Sequence, residues 1–264
     1  MTNNEGKINS TNNEGKNNMT QTRKNWNIAI VLAGGSGSRM NSDVPKQYMK
    51  IGDKPILYYS LKIFEESFVD EIILVTTKQD LKCCKTNIVD KYNFKKISKI
   101  VAGGKERYNS VYNGLEAISL DKSNQIIVDN TNIFIHDGAR PCVTLDILER
   151  CLETVKITSA CVAAVPVKDT IKIVDDNGYA ISTPDRNTLW QIQTPQVFSY
   201  EVIKNAYDDL MRLVTIDGIT DDAMVVEHYS NVKVKMVEGS YDNVKVTTQG
   251  DIDIVKNYFE KNSN

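Results

Sequence analysis

The sequence predicts an α/β fold in which a mostly parallel sheet is flanked by helices. From Asn27 onward, segments rich in Val and Ile alternate with amphipathic segments, which is the order expected when helices connect parallel strands. The chain has 264 residues, 41% of them apolar, and can therefore bury a sizeable core. No apolar run approaches the roughly 18 residues that span a bilayer. We therefore expect no membrane-spanning segment.

The first 25 residues differ in composition from the rest of the chain. Asn, Thr, Lys, Glu and Gly dominate them, and the block Thr2–Lys7 recurs as Thr11–Lys16. A segment of this composition has almost nothing to bury. We expect residues 1–25 to form a disordered tail and residues 26–264 to form a single domain.

Charge and cysteine content narrow the class of protein. A net charge of −2 argues against a protein that coats nucleic acid, because such proteins carry a strongly basic face. Five cysteines without CxxC spacing are typical of reduced thiols in the cytoplasm, and two histidines give a His/Cys metal site little support. The polar N-terminus predicts no secretory signal. We expect a cytoplasmic protein with no nucleic-acid or membrane partner and no metal held by its own side chains.

Strands and helices are assigned from apolar patterning along the chain. The predicted strands are Ile28–Leu32, Glu71–Thr76, Ile97–Val101, Asn132–Ile135, Ala160–Pro166 and Val232–Val237. The predicted helices are Ile56–Glu66, Asp80–Tyr92, Arg107–Ile118, Leu145–Val155, Tyr200–Leu213, Asp221–Tyr229 and Asp251–Tyr258.

Residues 166–190 interrupt the alternation and predict a hairpin. Val167–Val174 and Tyr179–Ser182 flank the turn sequence Asp175–Gly178. A hairpin that projects from an α/β domain suits a dimerisation arm. The pattern is equally compatible with an edge hairpin on the same domain.

A glycine-rich turn follows the first predicted strand. Gly34, Gly35 and Gly37 stand directly after it, and Arg39 and Lys46 come next. Glycines let backbone N–H groups approach an anion, and fixed cations neutralise the rest of its charge, so this pattern favours a triphosphate site. Met40 replaces the third glycine of a dinucleotide-binding loop, and the GKS or GKT of a Walker A loop is missing. A tight turn without a ligand is the alternative.

A second polar cluster, His136–Pro141, follows the strand Asn132–Ile135. Carboxyl ends of parallel strands face the crevice where open α/β sheets bind ligands. Asp137 and Arg140 could therefore bind a hydroxyl and a phosphate or organise a metal–phosphate complex. Alternatively, they could pair with each other and brace the loop. For His136 we predict a packed, hydrogen-bonded side chain.

Three further clusters are weaker signals. Gly104 and Ser110 lie at a strand-to-helix junction, where N–H groups favour polar or anionic ligands. Thr170 and Arg186 flank the hairpin and could belong to ordinary surface loops. Thr220 precedes two acidic residues and is predicted first as part of a helix N-cap, a role compatible with a ligand contact.

Taken in order, these clusters resemble the 2-C-methyl-D-erythritol 4-phosphate cytidylyltransferase family and its close relative, the ribitol-5-phosphate cytidylyltransferases. The resemblance covers the chain from Asn27 to Phe259. The matching segments are LAGGSGSRM, PKQY, GGKERYNSV, HDGARP, PVKDT, DRNTLWQIQTPQVF, TDDA and DNVKVTT. It implies a Rossmann-like nucleotidyltransferase sheet with a projecting arm that builds a homodimer.

The resemblance also implies roles for individual residues. CTP would lie across the glycine loop, with Gly104 and Ser110 near its cytosine base. The loop residues are Leu32, Ala33, Gly34, Gly35, Ser36 and Gly37. Arg39 and Lys46 match the pair that stabilises the transition state. A Mg2+ ion bound mainly through the triphosphate is implied too.

On the acceptor side, Arg186 and Lys245 match residues that position the phosphate of a sugar alcohol for attack. The other matching substrate contacts are Asp137, Arg140, Thr170 and Thr220. The resemblance implies that the arm of a partner subunit supplies Thr170 and Arg186.

The chemistry independently suits these residues. A phosphate oxygen is already deprotonated at neutral pH, so its attack on CTP requires no general base. Catalysis then rests on positioning and on cationic stabilisation. This matches a chain with two histidines and no Ser-His-Asp arrangement.

The acceptor alcohol is predicted from mixed signals. Ala33–Gly35 and the Lys-Val-Thr-Thr segment resemble the ribitol relatives, whereas Pro166–Thr170, Asp185–Trp190 and Thr220–Asp222 match the methylerythritol enzymes. The second set lies on the acceptor side, so we predict methylerythritol phosphate, with ribitol 5-phosphate as the alternative.

A catalytically silent nucleotide-binding protein is a further alternative. The joint presence of Arg39, Lys46, Arg186 and Lys245 argues against it, because a silent relative has no need for four cations at one crevice.

Overall fold

The computed structural model of the chain describes residues 25–34, 45–119 and 130–262, without the side chain of Lys46. The expected disordered tail lies outside the described residues except for its last residue. Gly35, Ser36, Gly37 and Arg39 of the predicted site also lie outside them.

Eleven strands are present in the described part of the chain. They are β1 (Trp26–Leu32), β2 (Lys50–Ile51), β3 (Lys54–Pro55), β4 (Glu71–Thr76), β5 (Ile97–Ala102), β6 (Thr131–Asp137), β7 (Ala160–Pro166), β8 (Ile173–Val174), β9 (Ala180–Ser182), β10 (Trp190–Ser199) and β11 (Lys235–Glu238). Seven of them form a central sheet in the order β11-β7-β10-β6-β1-β4-β5.

The prediction of a mostly parallel sheet is confirmed. Within the described sheet, β10 alone runs antiparallel to its neighbours, which are β6 and β7. All six predicted strands are present, and β10 is a strand that the sequence pattern did not reveal. The prediction for β11 began too early, since that strand starts at Lys235 rather than Val232.

Seven α-helices occur in the described ranges. They are α1 (Ile56–Glu66), α2 (Leu81–Cys84), α3 (Arg107–Glu116), α4 (Leu145–Thr158), α5 (Tyr200–Met211), α6 (Asp222–Tyr229) and α7 (Gln249–Lys261). Each overlaps a predicted helix, but Asp80–Tyr92 was predicted as one α-helix and is instead α2 followed by a π-helical segment, Lys85–Asp90. In the described ranges, no helix is both long and apolar enough to cross a bilayer.

Apolar side chains pack against both faces of the central sheet. Along β1, Ala29 and Val31 belong to one buried cluster, and Ile28 and Ile30 to another, as expected when successive strand residues point to opposite faces. Helices α1 and α4 supply apolar residues to the first cluster, and α3, α5 and α6 to the second. Burial on both faces fixes the strand register and therefore the positions of the strand ends.

The register places the candidate residues at one edge of the sheet. Leu32, the last residue of β1, pairs with Val75 of β4 and with Asp137 of β6. The start of the glycine loop and the polar cluster at the end of β6 therefore lie side by side.

The predicted hairpin has the expected turn but shorter strands. β8 pairs with β9 as a two-stranded sheet separate from the central one. The N–H of Gly178 donates to the carbonyl of Asp175 at 3.0 Å, and Gly178 has a φ of +85°, which glycine adopts without steric cost. We call residues 166–190 the arm.

Candidate active site

Two cavities adjoin each other at the carboxyl edge of the sheet. The glycine-side cavity, of about 360 Å³, is lined by Leu32, Gly34, Gly104, Lys105, Glu106, Arg107, Ser110, Asp137, Ala139 and Lys245. The threonine-side cavity, of about 280 Å³, is lined by Arg107, Asp137, Arg140, Ile192, Gln193, Thr194, Gln196, Thr220, Asp221 and Lys245. Both cavities share Arg107, Asp137 and Lys245. Two cations and one carboxylate therefore form the wall between them.

Asp137 is the centre of this wall. Its Oδ2 forms an ion pair with the Lys245 ammonium at 2.7 Å, and its Oδ1 lies 3.6 Å from Nε of Arg107. Burial alone would raise the pKa of this carboxyl, but the attraction of Arg107, Lys245 and Arg140 outweighs it and holds the pKa well below its usual range. Asp137 is therefore a fixed negative charge between cations.

Arg107 is held in place by the buried carboxylate of Asp222. Its Nη1 and Nη2 donate to Oδ1 and Oδ2 of Asp222 at 2.8 and 2.7 Å, and the Tyr207 hydroxyl donates to the same Oδ1 at 2.6 Å. Burial lowers the pKa of Arg107, but the charges of Asp222 and Asp137 overcome that effect and raise it. The guanidinium is thus permanently charged and rigidly oriented.

Arg140 lines the threonine-side cavity through a different set of contacts. Its Nη1 donates to the carbonyl of Asn243 at 2.7 Å, whereas its Nε lies 3.9 Å from Oδ2 of Asp137 and has no hydrogen-bond partner among the described residues. The alternative considered from the sequence, a brace between Arg140 and Asp137, is present only as a long ion pair. Its Nη2 makes a longer contact, donating to the carbonyl of Ile192 at 3.5 Å, so the bond to Asn243 is the shortest that the guanidinium makes.

The segment that carries Lys245 is fixed by a buried amide network. Asn243 Nδ2 donates to the carbonyl of Thr194 at 2.9 Å and to Oε1 of Gln193 at 3.2 Å. Val246 N–H donates to the carbonyl of Ala139 at 2.8 Å. Lys245 therefore stands between two anchored residues, which direct its side chain toward Asp137.

His136 has the structural role that the sequence predicts. It is fully buried, Nε2 lies 3.1 Å from the carbonyl of Arg140, and Nδ1 lies 3.0 Å from the Thr194 hydroxyl. Since a carbonyl only accepts, Nε2 carries the proton and Nδ1 accepts from Thr194. Burial lowers the pKa of His136 to about 4, so the ring is neutral at physiological pH.

On the glycine side, the described residues anchor the start of the glycine loop. Ala33 N–H donates to the carbonyl of Val75 at 2.7 Å, and the buried Gln47 amide donates to the carbonyl of Ala33 at 2.7 Å. Gln47 belongs to the short 3-10 helix Lys46–Tyr48, so this bond ties the Lys46 backbone to the end of β1. The Lys46 side chain lies outside the described part of the structure.

Gly104 and Ser110 form a compact turn at the start of α3. Gly104 N–H donates to the Ser110 hydroxyl at 3.1 Å. A Cβ on Gly104 would collide with Cβ of Asn109, whose side chain accepts from Glu106 N–H in the capping box of α3. Both predicted residues line the glycine-side cavity, and the close approach explains the glycine.

The remaining predicted residues are distributed unevenly. Thr220 lines the threonine-side cavity, just before Asp221, which caps α6 by accepting from Met224 N–H at 2.9 Å. Thr170 and Arg186 lie on the exposed arm and line neither cavity. Arg186 donates to the carbonyl of Lys168 at 2.9 Å.

Several residues of the site were not predicted from the sequence. They are Arg107, Gln193, Thr194, Tyr207, Asp222 and Asn243. Arg107 stands in a cluster that the sequence did single out, but its bond to Asp222 spans 115 positions and leaves no local signal. Gln193, Thr194, Asp222 and Asn243 stand in segments that carry the sequence resemblance, but no role was assigned to them there. Tyr207 lies outside all of those segments.

The donor atoms of the site suit an anion rather than a bare metal ion. The part of the chain that the structure describes contains no group of three or more His, Cys, Asp or Glu side chains that could hold a metal. Asp137 itself is surrounded by cations.

Comparisons with known proteins agree on one family. The family model described as IspD: 2-C-methyl-D-erythritol 4-phosphate cytidylyltransferase matches residues 27–261. Curated relatives carrying that enzyme name are 56% identical over 229 residues in Lachnospira eligens, covering 86% of this chain and 96% of the relative, and 44% identical over 226 residues in Lachnoclostridium phytofermentans, covering 85% and 92%.

Solved structures give the same result. The 4-diphosphocytidyl-2C-methyl-D-erythritol synthase of Anaerococcus prevotii superposes with a TM-score of 0.75 at 32% identity, covering 89% of this chain and 96% of that one. The 2-C-methyl-D-erythritol 4-phosphate cytidylyltransferase of Francisella tularensis gives a TM-score of 0.71 at 30% identity, with coverages of 88% and 99%.

Proposed function

The chain belongs to the 2-C-methyl-D-erythritol 4-phosphate cytidylyltransferase family, and we propose that it transfers CMP from CTP to 2-C-methyl-D-erythritol 4-phosphate. The observation that carries this proposal is the pair of cavities that share a wall of Arg107, Asp137 and Lys245. Two anionic substrates must be brought together for this reaction, and the shared cations would offset their mutual repulsion. The ribitol 5-phosphate alternative is not favoured, because the relatives carry methylerythritol enzyme names.

The chemical step forms one bond and breaks one. A phosphate oxygen of the acceptor attacks the α-phosphorus of CTP, and the bond to the β-phosphate oxygen breaks. Pyrophosphate leaves with the bonding electrons, and the CDP-alcohol remains. The nucleophile is already ionised, so the neutral, fully buried His136 is not required as a base.

We assign CTP to the glycine-side cavity. The glycine loop Leu32–Gly37 would hold the phosphates through its backbone, with Gly104 and Ser110 toward the base. Arg39 and Lys46 would stabilise the charge that develops on the leaving pyrophosphate. The bond from Gln47 to Ala33 supports this assignment, because it holds the Lys46 backbone at the start of the loop.

We assign the acceptor to the threonine-side cavity. Arg140 and Lys245 would bind its phosphate, and Asp137 and Thr220 its hydroxyl groups. Because Lys245 also lines the glycine-side cavity, its ammonium is well placed to align the attacking oxygen with CTP.

Thr170 and Arg186 would act from a partner subunit in a homodimer. The arm that carries them exposes several large apolar side chains, as an interface would. These are Ile171, Ile173, Val174, Tyr179 and Ile181, which are 41–74% exposed. Neither Thr170 nor Arg186 lines the glycine-side or the threonine-side cavity of its own chain, so the two residues would complete the site only across the dimer.

Mg2+ would enter as its complex with CTP. The triphosphate oxygens would hold the ion, since the described residues offer it no carboxylate cluster.

We further propose that residues 26–264 form one cytidylyltransferase domain and that the enzyme works in the cytoplasm. All five cysteines are free thiols, which suits a reducing compartment.

The test is pyrophosphate release from CTP and Mg2+, with methylerythritol 4-phosphate or ribitol 5-phosphate as the acceptor at equal concentration. We expect rapid release with methylerythritol 4-phosphate and little with ribitol 5-phosphate. Preference for ribitol phosphate would overturn the proposed acceptor, and release with neither would overturn the proposed reaction.

A further inference from the structure

The Arg107 guanidinium faces two carboxylates but hydrogen-bonds only one of them. Both of its Nη groups are occupied by Asp222, at 2.8 and 2.7 Å. Toward Asp137, the ion-pair contact is made by Nε, and its separation of 3.6 Å from Oδ1 is too long for a hydrogen bond. The bidentate pairing that arginine favours with a carboxylate is therefore directed away from Asp137.

Asp222 is itself held rigidly. Its side chain is fully buried, and the Tyr207 hydroxyl donates to Oδ1 at 2.6 Å. The three residues lie on three different helices, with Arg107 on α3, Tyr207 on α5 and Asp222 on α6. These helices pack on one face of the sheet, so the network joins that layer to the site.

This arrangement leaves Asp137 free to orient Lys245. Oδ2 of Asp137 lies 2.7 Å from the Lys245 ammonium. If the two Nη groups of Arg107 turned onto Asp137, they would compete with Lys245 for the two carboxylate oxygens. Asp222 prevents this rotation of the guanidinium by bonding both Nη groups, and the Tyr207 hydroxyl holds Asp222 in place.

We propose that Tyr207 and Asp222 are positioning residues for the acceptor phosphate: by occupying the Nη groups of Arg107, they keep Lys245 on Asp137 between the two cavities. The assignment of that phosphate to Lys245 rests on the proposed function. Tyr207 and Asp222 do not touch the substrates, and they act through Arg107.

The chain offers a matched pair of variants. Tyr207→Phe removes only the hydroxyl that contacts Asp222. Tyr200→Phe removes a buried hydroxyl from the same helix and the same apolar cluster, but that hydroxyl has no hydrogen-bond partner among the described residues. A general effect of losing a buried tyrosine hydroxyl would appear in both variants, and a positioning effect only in the first.

We expect Tyr207→Phe to raise KM for methylerythritol 4-phosphate about tenfold, the scale of one hydrogen bond to a charged group, with KM for CTP changing less than about twofold. Tyr207→Phe should also lower the melting temperature, because it removes a hydrogen bond from a buried carboxylate. The kinetics of Tyr200→Phe should match those of the wild type. Equal acceptor KM in the two variants would overturn the proposal.

Asp222→Asn gives the stronger perturbation, because it removes the charge that holds Arg107. We expect Asp222→Asn to raise KM for methylerythritol 4-phosphate more than Tyr207→Phe does. Adding Tyr207→Phe to Asp222→Asn should raise that KM no further, since both residues act through one guanidinium. Additive effects would contradict this. If Asp222→Asn fails to fold, the comparison of the two tyrosine variants still decides.

Calorimetric binding of inorganic phosphate separates the positioning role from the proposed reaction. Tyr207→Phe should weaken phosphate binding about tenfold and Tyr200→Phe should not, whether or not the wild type turns over. Unchanged phosphate affinity in Tyr207→Phe would overturn the positioning role. A wild type with this phosphate effect but no turnover would overturn only the proposed function.

Discussion

The Thr194 hydroxyl donates to Nδ1 of His136 at 3.0 Å and accepts the N–H of Asp137 at 3.1 Å. A single hydroxyl thus links the neutral buried ring to the carboxylate at the centre of the site. This link requires an unprotonated Nδ1, because a protonated ring could not accept from Thr194. The protonation state of His136 therefore affects both stability and the position of Asp137.

Acid should destabilise the protein through His136. Its folded pKa of about 4 lies below the unfolded value of about 6.5, so the unfolded chain takes up the proton first. Stability is fully present above about pH 6.5 and falls as the pH decreases toward 4, by roughly 3 kcal/mol. Urea unfolding between pH 7 and 4 measures this loss.

The other histidine provides the control for that experiment. His228 is exposed on α6, and His228→Asn should retain the pH dependence. A flat stability profile in the wild type, or loss of the slope in His228→Asn, would contradict the assignment to His136.

Lys245→Met should impair the enzyme far more than it destabilises the fold. The ammonium lines both cavities and pairs with Asp137. Its loss removes charge stabilisation and leaves the negative charge of Asp137 less compensated beside the anionic substrates. We expect kcat/KM for methylerythritol phosphate to fall on the order of a hundredfold. Lys256→Met, on the outer part of α7, is the control and should behave as wild type in the same assay.

Lys46→Ala should lower turnover by about a hundredfold or more, since a pre-organised cation at the leaving group acts mainly in the transition state. CTP affinity should change less than kcat. Single-turnover kinetics with CTP and methylerythritol phosphate separate the two effects. Undiminished turnover with normal CTP affinity would remove the proposed role of Lys46.

Gly104→Ala should weaken CTP binding by displacing the start of α3. The new Cβ would collide with Asn109, and the turn that holds Ser110 would have to move. We expect kcat/KM for CTP to fall about tenfold, the scale of a modest overpacking cost. Gly250→Ala is the control, because a Cβ there meets only Thr248 Oγ1 at 3.9 Å. Equal kinetics in the two variants would show that the turn tolerates a side chain.

Asn243→Ala should loosen the segment that carries Lys245. The variant loses the buried hydrogen bonds to Gln193 and Thr194. This loss should lower the free energy of unfolding by about 1–3 kcal/mol. KM for the acceptor should rise as well. Thermal unfolding and steady-state kinetics measure the two effects, with Asn262→Ala at the exposed end of α7 as the control. A stability loss with unchanged acceptor KM would leave Asn243 a purely structural role.

Much of the fold could be predicted from the sequence because its signals are local. β4, β7 and α1 have the predicted bounds, since each is a short apolar or amphipathic run between clear breaks. β10 was missed because Trp190–Ser199 mixes Gln and Thr with apolar residues, and only its place between β6 and β7 makes it a strand. The π-helical Lys85–Asp90 segment was likewise predicted as ordinary helix, because its period in sequence is too close to that of an α-helix.

For the site, the sequence determined which chemical groups are present and roughly where each stands relative to a strand end. Asp137 at the end of β6 and Gly104 after β5 are such cases, because a parallel sheet brings its carboxyl ends to one edge. Only the tertiary structure decided that Arg107 would meet Asp222, 115 positions away, and that Lys245 would meet Asp137. Those contacts depend on how helices and loops pack against the sheet, and packing between distant segments leaves no periodic trace in the sequence.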